Sequence, residues 1–190
     1  MGTLEPLSNL SSLTELILKS CGNDLICKGL GPLLTAGGQL RRLIIYGSPR
    51  FFAGWDPNPM RVLQGTDEAM GLLDVPICSF LSSSLIHLDL SGTCKMERFT
   101  NEQEDALCLL ASLQQLEFLR FDKLQHLPAG LHKLTNLKRL EVDSCPAIRS
   151  LPKDGLPISL EELSVCWCGN KELKQQCRGL VGTIPKIMLD

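Results

Sequence analysis

Three histidines, nine cysteines and scattered carboxylates are the side chains with which this 190-residue chain could do chemistry. A hydrolytic triad needs a nucleophile, a base and an orienting acid that converge. His87 stands two residues before Asp89, and the spacing turns both outward along one strand, while His126 and His132 fall in connecting segments. Neither His126 nor His132 can reach a partner predictably, so a catalytic triad is not expected and solvated surface is the expected role. Cys145, Cys166, Cys168 and Cys177 lie close in sequence, yet no C-x-x-C pair occurs among them. The spacing turns Cys166 outward and Cys168 inward, so their sulfurs diverge from the tetrahedral arrangement zinc demands. No Gly-Lys pair occurs, which leaves the chain without a G-x-x-x-x-G-K-[ST] phosphate loop. No catalytic, cofactor-binding or metal-binding residue is expected, and the chain is read as a non-enzyme.

The elements that position these side chains come from an internal repeat. Leu fills 38 of 190 positions while aromatic residues make up only 5%, so one aliphatic side chain is used over and over. The template L-x-x-L-x-L-x-x-C is matched six times: Leu13, Leu16, Leu18, Cys21; Leu40, Leu43, Ile45, Ser48; Leu85, Leu88, Leu90, Thr93; Leu116, Leu119, Phe121, Leu124; Leu137, Leu140, Val142, Cys145; and Leu160, Leu163, Val165, Cys168. A short strand with two or three apolar side chains on one side cannot bury them alone, so such strands stack in parallel around a shared core. The predicted fold is α/β: a single leucine-rich-repeat solenoid over residues 1–190, a curved parallel sheet of short strands with irregular or helical returns. Strands are expected at residues 16–18, 43–45, 88–90, 119–121, 140–142 and 163–165. An irregular insertion at 49–84, rich in Pro and Gly, fills the one long step.

Between strands, Leu127-Pro128-x-x-Leu131-x-x-Leu134 and Leu151-Pro152 read as short returns in which proline limits regular helix. Thr100 with Gln103 forms a capping-box pattern opening a helix. Asn170 is placed to cap another over 171–178, ended by Gly179. Residues 169–190 thus form a C-terminal helix and a capping strand, since Ile184, Ile187 and Leu189 repeat the apolar spacing and predict strand at 187–189. Leu4, Leu7 and Leu10 look like the end of an earlier repeat, from which the chain is expected to be the C-terminal part of a longer protein.

Lys+Arg 19 against Asp+Glu 21 gives a net charge of −2, without the basic excess that phosphate-backbone binding requires. Nucleic acid is a poor partner for such a chain. No apolar run approaches the roughly 18 residues of a membrane span, and the first ten residues lack signal-peptide character. Nine cysteines, an odd number set among aliphatic residues, suit a reducing compartment, so the expected location is cytoplasmic.

Inward positions are committed to the core, so information for a partner must sit on the outward ones. The fifth template positions read Ile17, Ile44, Asp89, Arg120, Glu141 and Ser164, an alternating-charge row at its centre. The seventh read Lys19, Tyr46, Ser91, Asp122, Asp143 and Cys166, which sets Asp122 beside Asp143. Adjacent like charges cost stability, which suits them to a basic partner surface. Tyr46, Phe118 and Trp167 also fall on outward positions, and Tyr and Trp are residue types that anchor interfaces. The protein-binding set expected from the sequence is Tyr46, Phe118, Arg120, Asp122, Asp143 and Trp167.

The stretches LTNLKRLEVDSCPAIRSLP from Leu134 to Pro152, SLEELSV from Ser159 to Val165 and ELKQQCRGLVGTIPKI from Glu172 to Ile187 resemble the C-terminal repeats of plant intracellular nucleotide-binding, leucine-rich-repeat disease-resistance proteins, particularly those of grasses. The resemblance is strong from Leu107 to Asp190, fair from Leu4 to Phe52 and weak through the insertion. It implies a recognition and autoinhibitory module whose partner is a pathogen effector, a guarded host protein or the receptor's own nucleotide-binding domain, with no cofactor. The alternative from the ninth-position cysteines is a repeat module serving as substrate receptor or scaffold of a ubiquitin ligase, which regular steps near 26 residues would favour. The uneven steps and L-P returns favour the receptor.

Overall fold

The computed structural model describes residues 4, 10, 12–19, 25, 41–46, 73, 75–91 and 96–190. Most of the 49–84 insertion therefore lies outside the described residues, as do Cys21, Ser48 and Thr93. Seven strands form one sheet in chain order, every pair parallel: β1 Glu15–Lys19, β2 Arg42–Tyr46, β3 His87–Ser91, β4 Gln115–Leu119, β5 Arg139–Asp143, β6 Glu162–Cys166 and β7 Lys186–Leu189. This is the leucine-rich-repeat solenoid, one curved parallel sheet whose strands are joined by returns on its far side.

The register places Leu16, Leu43, Leu88, Leu116, Leu140, Leu163 and Ile187 in one row. Five of the six template matches keep their frame. The fourth is corrected by three residues: β4 is Gln115–Leu119, the row takes Leu116 in place of Leu119, and residues 120 and 121 have already left the strand. Two frames fit this segment, because Leu113, Leu116, Phe118 and Phe121 satisfy the same spacing as Leu116, Leu119, Phe121 and Leu124. The observed one buries Phe118, at 0% exposure, together with Leu113, Phe121 and Leu124. The other would turn the Phe118 ring to solvent and forfeit roughly 1.5–3 kcal/mol of apolar burial. Phe118 instead meets Phe99 and Phe121 edge-on, with ring centroids 5.9 and 6.3 Å away.

Phe121, rather than Leu124, is thus the ninth-position residue of the fourth repeat. In the next two repeats that position is a buried cysteine with a second task. Cys145 Sγ donates to the carbonyl oxygens of Phe118 and Asp143 at 3.5 and 3.3 Å, and Cys168 Sγ to those of Val142 and Cys166 at 3.5 and 3.2 Å. Each thiol ties its own rung to the one before.

One residue earlier, the chain leaves each strand through a left-handed residue: Arg120, Ser144 and Trp167 have φ of 59°, 55° and 55°. For non-glycine residues this conformation is unfavourable, and the next rung offsets it. The Arg120 amide donates to the Asp143 carbonyl at 2.9 Å and the Ser144 amide to that of Cys166 at 3.0 Å.

The returns carry α1 Val75–Leu81, α2 Asn101–Cys108, a 3₁₀ turn over Ala129–Lys133 and α3 Lys171–Arg178. The capping box opens α2 as its sequence predicts: the Gln103 amide donates to Thr100 Oγ1 at 3.3 Å and the Thr100 amide to Gln103 Oε1 at 2.9 Å. Asn170 Oδ1 caps α3, accepting from the Glu172 and Leu173 amides. Gly179 follows as the C-cap in a right-handed conformation, φ −64°, so its freedom to adopt positive φ is unused. Among the described residues no helix is long and apolar enough to cross a membrane.

Candidate protein-interaction face

The outward side chains of the strands form the face opposite the returns. Its third template positions are Glu15, Arg42, His87, Gln115, Arg139, Glu162 and Lys186. Ion pairs link neighbouring rungs here: Arg42 Nη1 to Glu15 Oε1 at 2.8 Å, Lys186 Nζ to Glu162 Oε1 at 3.1 Å, and Arg139 Nη2 to Glu141 Oε2 at 2.9 Å within its own strand.

The fifth positions are Ile17, Ile44, Asp89, Glu117, Glu141, Ser164 and Met188. The frame correction replaces Arg120 by Glu117, so the expected alternation of charge at this row becomes three consecutive carboxylates. The fold tolerates them because bases on the third row sit beside two of the three. His87 Nε2 lies 3.0 Å from Glu117 Oε1. His87 is the first cause holding the Glu117 carboxyl below its ordinary range. Arg139 serves Glu141. Asp89 is less well served: among the described residues its Oδ1 is buried without a hydrogen-bond partner, and burial, then Glu117, push its pKa up to about 6 while His87, Lys19 and Arg42 oppose the shift.

Asp89 borders a concavity of about 500 Å³, shared with Lys19, Arg42, Ile44, Ser91, Leu119, Arg120, Asp143 and Ser144. Ile44 is only 7% exposed yet lies outside the main core cluster, so it is buried on this face as an apolar floor among charged walls. At the concavity's edge Ser144 Oγ donates to Asp143 Oδ1 at 2.5 Å.

The sequence-predicted site residues divide accordingly. Arg120 and Asp143 meet at the concavity, though Arg120 reaches it from the left-handed turn after β4 and not from a strand. Asp122 is exposed beyond that turn, and Asp143 has Leu119 and Cys166 as its register neighbours, so the expected Asp122–Asp143 pair does not form in the sheet. Phe118 is withdrawn from the face altogether, since it is a core residue. Tyr46 ends β2 opposite Lys19, and its side chain lies outside the described residues. Trp167, at 71% exposure, stands clear at the turn after β6. Asp89, Glu117, Arg42 and Ile44 are not in the expected binding set; the correct frame for the fourth repeat brings Glu117 into the row, while Arg42, Ile44 and Asp89 lie in repeats whose frame the spacing already fixes.

Comparison with known proteins adds a relative to this geometry. Over an alignment that covers 85% of the chain, the sequence is 27% identical to the disease resistance protein RPS4B of Arabidopsis thaliana. The chain is related to a plant disease resistance protein. It spans 14% of that relative's length. No family model matches it.

Proposed function

We propose that this chain is the protein-recognition and autoinhibitory leucine-rich-repeat region of a plant intracellular immune receptor, of the grass type suggested by its C-terminal repeats. It acts in the cytoplasm without catalysing a reaction and without a cofactor. Its partner is a pathogen effector, a guarded host protein or the receptor's own nucleotide-binding domain, and it docks on the strand face. The observation that carries this reading is Asp89: a partly buried carboxylate with an unpartnered oxygen, bordering a concavity with an apolar floor. Leaving such a group unsatisfied costs stability, and a cationic side chain from a partner would satisfy it. Kinship with a disease resistance protein supplies the biological setting.

The coding sequence upstream of Met1 tests the receptor assignment. An in-frame nucleotide-binding domain with a G-x-x-x-x-G-K-[ST] loop is the expected finding. A ubiquitin-ligase adaptor domain in that place would overturn it in favour of the substrate-receptor reading.

A further inference from the structure

A second cavity, of about 510 Å³, lies at the other end of the strands, where four successive rungs enter the sheet. It is lined by Arg41, Ser83, Ser84, Ile86, Ser112, Gln114 and Asn136. The set holds one guanidinium, three hydroxyls and two amides, and no carboxylate.

Part of it is structural. Ser84, Ser112 and Asn136 each stand immediately before the first leucine of a repeat, as Ser159 does. At the two later rungs this side chain staples the sheet edge: Asn136 Nδ2 donates to the Ala111 carbonyl at 2.7 Å and Ser159 Oγ to that of Leu137 at 2.8 Å. Ser84 and Ser112 make no such bond, nor do the side chains of Arg41, Ser83 and Gln114 among the described residues. The main chain at these positions is already occupied, with the Arg41 carbonyl accepting from Ile86 and His87 and the Ser112 amide donating to Ser82. Five donor side chains thus converge on one cavity with their hydrogen-bonding capacity unspent, and the one charge among them is positive.

We infer that this cavity is an anion site for a phosphate monoester. A guanidinium fork takes two phosphate oxygens at once, and hydroxyls from neighbouring rungs reach the third. A carboxylate has only two oxygens and would leave hydroxyls idle. The volume leaves room for the group that bears the phosphate. The site is separate from the strand face, because the Asp89 concavity opens where the strands end and this one where they begin, so the two can fail independently.

The test is calorimetric titration of the 190-residue chain at constant ionic strength with inorganic phosphate and with the tripeptide Gly-phosphoserine-Gly, the unphosphorylated tripeptide serving as control. Saturable binding of either phosphate probe, weakened at least ten-fold by Arg41→Gln and at least three-fold by Ser112→Ala but unchanged by Asp143→Lys, is expected. Tighter binding of the phosphotripeptide assigns the site to a phosphorylated protein segment; equal binding assigns it to the free anion. Both support the site. Should Arg41→Gln lose the fold, amide chemical shifts of Ser84, Ser112 and Gln114 on phosphate addition to the wild type decide the matter. No saturable binding of either probe, equal affinity in a folded Arg41→Gln, or shifts confined to other residues overturns the proposal.

Discussion

The Cys145 thiol reaches back one rung and donates to the main-chain carbonyl of Phe118 at 3.5 Å, and Cys168 repeats the contact on Val142 at the same distance. Burial holds these thiols neutral: it pushes Cys145 up to about 12 and Cys177, beside them in the core, up to about 11, against about 9 for an ordinary thiol. A group whose folded pKa is raised contributes its stability in full below the unfolded pKa and loses it as pH rises towards the folded one. Stability should therefore decline above about pH 9, and thermal melting between about pH 9 and 11 should show a steeper decline for the wild type than for Cys145→Ala with Cys177→Ala. Parallel declines would mean that these thiols do not couple to folding. In the native state, Cys166, which is partly exposed, should be alkylated well before Cys145, Cys168 and Cys177.

Phe118→Ala should cost ~3–5 kcal/mol in a denaturant titration, since it removes a fully buried ring between Phe99 and Phe121. Trp167→Ala, at an exposed position, should change stability by less than ~0.5 kcal/mol. A reversal of this order would restore the rejected frame for the fourth repeat.

Asp89 is destabilising when charged. Its pKa, raised from 3.8 to about 6, means that the stability of the protonated form is present in full below 3.8 and is lost as pH rises through about 6. Asp89→Asn fixes the neutral form, so it should stabilise the chain by on the order of 1 kcal/mol at neutral pH after allowance for solvent screening. The gain should vanish near pH 4. A gain independent of pH would point to packing instead of charge.

Gly130 is where the return after β4 touches α2. A Cβ at this position would stand 2.7 Å from Cys108 Sγ, so Gly130→Ala should destabilise by ~1–3 kcal/mol through overpacking. Cys108→Ala in the same chain should recover part of that loss, and strict additivity of the two changes would show that the contact is not the cause.

Architecture was legible in the sequence because the repeat is redundant: five of the six frames, the closing strand at 187–189 and both helix caps follow from local spacing. The fourth frame was lost to a run in which Leu113, Leu116, Phe118, Leu119, Phe121 and Leu124 satisfy one apolar pattern twice. A finer signal was present in the polar residue before each first leucine. Ser112-Leu113-x-x-Leu116 matches Asn136-Leu137-x-x-Leu140 and Ser159-Leu160-x-x-Leu163, and the matching side chains Asn136 and Ser159 hold the sheet edge. The site depended on that frame, because a three-residue shift exchanges Arg120 for Glu117 and a surface aromatic for a core one. Ile44 was harder still. It is buried on the outward face, in a concavity whose lining comes from five different rungs.

Recognition of a protein partner by the strand face is the proposal to test, by expressing the full-length gene in leaves and measuring resting and triggered cell death for two variants of matched melting temperature. Asp143→Lys with Trp167→Ala alters the edge of the strand face; Lys133→Glu alters an exposed residue of the returns. Interface energy is concentrated in a few anchors, so the first variant should abolish the triggered response or raise resting activity while Lys133→Glu behaves as wild type. If Lys133→Glu alone changes either readout and the strand-face variant matches the wild type, recognition takes place on the returns and the claim is contradicted.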